Sequence, residues 1–88
     1  MFQPMKKMAI EEKTVTTNTS NGNASLGKTI SDGVVVAAWI KNDSSYFCTP
    51  LLLSGNQWWL HFETITSAHS TPASGTSFTV CYILEKVV

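Results

Sequence analysis

Asn56-Gln57-Trp58-Trp59-Leu60-His61-Phe62-Glu63-Thr64 alternates in a way that suits a β-strand. Successive side chains of a strand leave opposite faces of the sheet. Trp58, Leu60 and Phe62 therefore share one face, and Trp59, His61 and Glu63 share the other. The first set has the composition of a core. The second sets an indole beside an imidazole and a carboxylate.

Working outward, residues 54–56 (Ser-Gly-Asn) are a turn, and residues 46–53 are a strand interrupted by Pro50. Proline has no N–H for the ladder, so this strand is expected at a sheet edge or at a bulge near Pro50. Asn42-Asp43-Ser44-Ser45 turns the chain before it. Residues 34–41 are apolar on both faces, with Val35, Ala37 and Trp39 on one and Val34, Val36, Ala38 and Ile40 on the other. Ser31-Asp32-Gly33 is a turn, and residues 24–27 form a short strand. Ser20-Asn21-Gly22-Asn23 reads as a hairpin turn, because Asn-Gly suits the positive backbone angles of type I′. Residues 13–19 are polar and β-branched, as in an exposed or edge strand. Downstream, residues 67–75 form a polar loop with His69 and Pro72. Residues 76–85 close the chain as a strand with Phe78, Val80, Tyr82 and Leu84 on one face.

Short strands separated by Gly, Asn and Ser at this spacing predict a small all-β sandwich or barrel. The expected architecture is a small antiparallel β-sandwich of jelly-roll-like type over residues 11–88. Residues 1–10 hold all three methionines and read as a tail or the remnant of an upstream domain. They are too short and too polar for a signal peptide or a membrane span.

Six lysines balance six carboxylates, and arginine is absent. Nucleic-acid binding draws on clustered Lys and Arg, so that class is not expected. The scattered lysines also offer no polybasic patch for a membrane surface. Cys48, Cys81, His61 and His69 lack zinc-site spacing, and no metal or other cofactor is expected. Two free, buried thiols are favoured over a disulfide. Neither a Gly-x-Ser-x-Gly elbow nor a phosphate-binding glycine loop occurs. Glu63 with Asp43 or Asp32 would be needed as a glycosidase pair, and nothing in the sequence sets their separation. The chain reads as a non-enzyme.

The candidate ligand residues are Trp59, His61 and Glu63, with Tyr46 as a rim hydroxyl and Asp43 in the polar loop of residues 42–45; Tyr82 is expected to place a second hydroxyl at a rim. An indole suits the C–H face of a sugar, and the imidazole and carboxylate suit its hydroxyls. The competing reading of Trp59 is a subunit contact. A domain this small buries only about 60% of its unfolded surface. Surplus apolar faces on such a domain mark an interface. A homo-oligomer is therefore expected, with Trp39 in the core or at a subunit interface, and Trp59, His61 and Glu63 at or near the seam.

Val15-Thr16-Thr17-Asn18-Thr19 is followed by Asn21-Gly22-Asn23-Ala24-Ser25-Leu26-Gly27. Then come the apolar strand of residues 34–39, the proline-bearing strand of residues 46–53 and the Trp58-Trp59 strand. Gly75-Thr76-Ser77-Phe78-Thr79-Val80 with Tyr82-Ile83 closes the pattern. Together these resemble the small β-domains of tail-fibre, baseplate and other appendage proteins of phages and prophages of gut Firmicutes. The resemblance spans residues 14–84 and implies a structural or receptor-binding domain, a homotrimer, and a host cell-surface carbohydrate as ligand. It also implies a place in a virion or phage-like particle, after synthesis in the bacterial cytoplasm without a signal peptide. It transfers no site residue. A purely structural assembly domain without a ligand is the alternative, and a small hydrolase the third reading.

Overall fold

The computed structural model describes residues 6–18, 21–53 and 55–87. It contains six strands: β1 (Lys6–Thr16), β2 (Asn23–Thr29), β3 (Val34–Ile40), β4 (Tyr46–Leu53), β5 (Gln57–Thr64) and β6 (Ser77–Val87). They form two three-stranded sheets, ordered β1-β6-β3 and β2-β5-β4. All pairings are antiparallel. The chain changes sheet at every connection except β4–β5. The first strand pairs with the last and the second with the fifth, a jelly-roll-like wrapping on three strands a sheet. The expected β-sandwich is what the chain forms, and β4, which carries Pro50, is an edge strand.

The two central strands supply most of the core. Trp58, Leu60 and Phe62 of β5 face Phe78, Val80, Tyr82 and Leu84 of β6, and all seven are buried. Phe62 stacks on Phe78 with ring centroids 4.4 Å apart, and Tyr46 meets Phe78 edge-on at 5.2 Å. The Trp58 indole N–H donates to the Gly33 carbonyl at 3.0 Å, tying one sheet to the turn that enters the other. Thr17 is a buried polar residue whose bonds are made. Its hydroxyl donates to the Ala73 carbonyl at 2.9 Å and accepts the Thr76 N–H at 3.0 Å. The long β5–β6 loop is thereby held against the end of β1.

Three sequence expectations change. First, β1 begins at Lys6, so residues 6–10 are strand rather than tail. They are ordered by pairing with the end of β6, from Lys6 opposite Val87 to Ile10 opposite Ile83. The strand ends at Thr16, and Thr19 of the expected strand lies outside the described residues. Second, Asn21-Gly22 does not close a hairpin, because β1 and β2 belong to different sheets. Gly22 has positive φ (75°), but Asn21 does not share it as a type I′ turn requires. The hairpin is β4–β5, where Gly55 and Asn56 take φ of 79° and 55°.

Third, β3 does not alternate cleanly. Val35 pairs with Leu84 but Ala37 with Ile83, so Val36 is an extra residue in the ladder. One inserted residue reverses the phase of every later position in the strand. Val35 consequently shares the core side with Ala38 and Ile40, not with Ala37 and Trp39. Trp39 is turned outward and is 43% exposed, so it is not a core residue.

Polar side chains close the sandwich between β1 and β2. Lys13 Nζ donates to the Leu26 carbonyl at 2.8 Å. The buried Tyr82 hydroxyl donates to Glu11 Oε1, which also lies 3.5 Å from Lys28 Nζ. Burial, then the bond to Glu11, push the Tyr82 phenol well above its ordinary 10.0. The Tyr82 hydrogen bond, helped by Lys28, holds Glu11 below its ordinary 4.5. A raised phenol contributes its full stability below its unfolded value and loses it as pH climbs through the folded one. A lowered carboxylate contributes above its unfolded value and loses that as pH falls through the folded one. Tyr82→Phe removes the shared bond. The stability gap between wild type and variant, from urea unfolding over a pH series, is therefore expected to be widest near neutrality and to shrink at both extremes. A pH-independent gap would show that the bond does not form.

Candidate functional site

The outer face of the β2-β5-β4 sheet carries the residues that alternation assigns to it. Trp59 lies between Ser25 on β2 and Leu51 on β4. His61 lies between Asn23 and Thr49, and Glu63 is opposite Phe47. All three central residues are half-buried. The His61 ring has a polar side chain on each side. Its Nδ1 is 2.6 Å from Asn23 Oδ1, and its Nε2 is 3.6 Å from Glu63 Oε1. An amide oxygen only accepts, so Nδ1–H is the donor to Asn23, and the contact with Glu63 is an ion pair only when the ring carries both protons. Phe47 in turn meets the His69 ring edge-on at 6.3 Å, which brings the β5–β6 loop to this end of the face. The result is a row of indole, imidazole and carboxylate on a rigid central strand, flanked by small polar and apolar side chains.

Tyr46 and Asp43 do not join this row. Tyr46 is one residue out of phase with Phe47, so its ring turns inward onto Phe78. Asp43 sits in the β3–β4 loop, where Oδ1 accepts the Ser45 N–H at 2.7 Å. Both line a separate, open cleft of about 560 Å³ where β3 runs into β4, together with Trp39, Ile40 and Asn42. The five candidates thus divide between two places. Asn23, Leu51 and Phe47 belong beside Trp59, His61 and Glu63, and sequence reading does not include them. Their place depends on cross-strand register, which leaves no local signal.

Asp32, the other carboxylate considered for a catalytic pair, holds the β2–β3 turn. It accepts the Thr29 N–H at 2.8 Å, and this bond lowers its pKa. Both aspartates are therefore committed to turns, and Glu63 stands on an outer sheet face. Cys48 is in the core opposite Phe62, and Cys81 is on the outer face of the other sheet. Both thiols are free. Burial pushes the Cys48 thiol up to about 11. Among the described residues, no three His, Cys, Asp or Glu side chains are grouped as a metal site.

The chain matches no protein-family model, and no curated protein or solved structure is significantly similar to it.

Proposed function

We propose that this chain is a non-enzymatic structural or receptor-binding domain of a phage-like tail appendage. In this reading it assembles as a homotrimer within a virion or phage-like particle and binds a cell-surface carbohydrate on the outer face of the β2-β5-β4 sheet. The observation that carries the binding role is the Trp59–His61–Glu63 row, with His61 between Asn23 and Glu63. A ring hydrogen-bonded to Asn23 loses little freedom when a hydroxyl docks on it, and a half-buried indole offers a flat apolar surface beside it. The appendage setting and the three-fold assembly rest on the sequence resemblance.

A glycan array on the intact chain tests the ligand. Binding to a subset of saccharides is expected, with Trp59→Ala weakening it by roughly tenfold or more while the circular dichroism spectrum is kept. No binding across a broad panel would leave a purely structural assembly domain. That second reading draws on a different observation, the apolar outer face of the β1-β6-β3 sheet.

A further inference from the structure

The outer face of β1-β6-β3 is built in rows across the three strands. Ile10, Ile83 and Ala37 form the middle row. Glu12, Cys81 and Trp39 lie on one side of it, and Met8, Glu85 and Val34 on the other. The bulge residue Val36 stands beside them. Ile10 is 70% exposed, Met8 60%, Val34 51%, Val36 46% and Trp39 43%. Side chains of these sizes leave roughly 400–600 Å² of apolar surface, the upper range for a monomeric protein.

The charges on this face are already satisfied within the chain. Glu12 pairs with Lys41 at 2.7 Å, and Glu85 with Lys6 at 3.2 Å. Each of these two carboxylates is thus neutralised by its own lysine. Beyond the first ion pair, the Thr14–Thr79 and Thr16–Ser77 hydroxyl pairs make a polar margin.

We infer that this face is where copies of the chain bind one another, with the Ile10–Ile83–Ala37 row at the centre of the contact. The inference rests on the homo-oligomer part of the proposed function and identifies its surface. Two features select a copy of the same chain as the occupant. A surface meeting its own copy fails if it carries unpaired charge of one sign, and here Lys41 and Lys6 each face an anion of the same chain. The chain as a whole also has no net charge to oppose close approach. A partner recognised by charge would find these carboxylates already paired, and an anionic membrane would find the two lysines engaged. The second feature is size. A stable interface buries about 800 Å² on each partner. The apolar centre supplies most of that area, and the ion pairs and hydroxyls around it supply a polar rim of the usual kind.

Cys81 makes the contact measurable. It stands beside the middle row, whereas Cys48 is buried in the core. A thiol reagent applied to the folded protein therefore reports Cys81. Light scattering after size exclusion, at micromolar concentration, is expected to give a multiple of the chain mass for wild type. Ile10→Lys and Val36→Lys, both at exposed positions, are expected to keep the fold and weaken self-association by about tenfold or more. They are also expected to speed Cys81 labelling. Leu53→Lys, on the outer face of the other sheet, is expected to leave the mass unchanged. A monomeric wild type would overturn the inference, as would assembly undisturbed by both face variants or broken equally by Leu53→Lys. Carbohydrate binding by the dissociated Ile10→Lys chain reads the other face on its own, so the two proposals fail separately.

Discussion

Phe62→Ala is expected to destabilise the fold by about 3–5 kcal/mol, the range for truncating a large core aromatic. Phe62 is fully buried on central strand β5, with its ring flat against Phe78 and Cys48 opposite it. Removing the ring takes apolar contact from both sheets at once and leaves a hole between two central strands. Neither Phe78 nor Leu60 can move into it without leaving its own ladder. Domains of this size have about 5–15 kcal/mol in all. One substitution would therefore remove a large share of the total and bring the chain close to unfolding. Urea denaturation followed by tryptophan fluorescence measures it, since Trp58 and Phe62 share the core face of β5. A loss below about 1 kcal/mol would mean that the aromatic stack is not part of the folded core. Phe62→Leu should recover much of the difference, because it keeps most of the buried volume.

Gly33→Ala is expected to cost about 1–3 kcal/mol through backbone strain, and more through what the strain displaces. Gly33 has φ of 133°, a conformation L side chains rarely adopt. An added Cβ would stand 2.5 Å from the Glu85 carbonyl oxygen and 3.3 Å from Leu84 Cγ. The oxygen belongs to the ladder of β6 and has no rotamer to change. The turn must therefore move, and it carries the carbonyl that accepts the Trp58 indole N–H. An indole left without a partner in the core costs about a further 1–3 kcal/mol. Gly75→Ala is the natural control. Gly75 also has positive φ (88°), but a Cβ there meets nothing within 4 Å. Thermal unfolding of the two variants should show a clearly larger loss for Gly33→Ala. Equal losses would mean that the contact with β6 is absent and that only φ matters.

Legibility from sequence depends on the range of the interaction involved. The opposition of Trp58, Leu60 and Phe62 to Trp59, His61 and Glu63 is a property of one strand and its pleat, so it is readable in the residues alone. The edge position of β4 is readable because Pro50 lacks a donor wherever the strand goes. Val36 shows where such reading stops. Nothing in Val34-Val35-Val36-Ala37-Ala38 marks which valine is extra; pairing with Leu84 and Ile83 on β6 decides it. The extra residue sends Trp39 outward and Ala38 inward. Residues 6–10 are similar: their sequence is a weak strand former with mixed polarity, and they become strand through the partner at residues 83–87.

The candidate site divides in the same way. His61 and Glu63 share a face by alternation, but Asn23 reaches His61 only because β2 pairs with β5 in one register. Tyr46 and Asp43 group with the site in the sequence only as polar groups near strand ends. Tertiary packing sends Tyr46 to the core and gives Asp43 a turn to hold. The surplus of apolar side chains is visible as composition, and with it comes the expectation that Trp59 sits at a subunit seam. In the structure the most exposed cluster of it lies on the opposite sheet, around Ile10, Val36 and Trp39, while Leu53 is left exposed on Trp59's own face.

By itself, then, the sequence determined the six strand segments apart from residues 6–10, most of their turns, the β-sandwich class and the two faces of β5, because these depend on side-chain alternation and local backbone preference. Only the tertiary structure decided the sheet order, the phase of β3 after its bulge, and which outer face carries the larger exposed apolar cluster. Those outcomes depend on pairing between residues far apart in the chain, and a one-residue change of register exchanges the faces while leaving the local sequence unaltered.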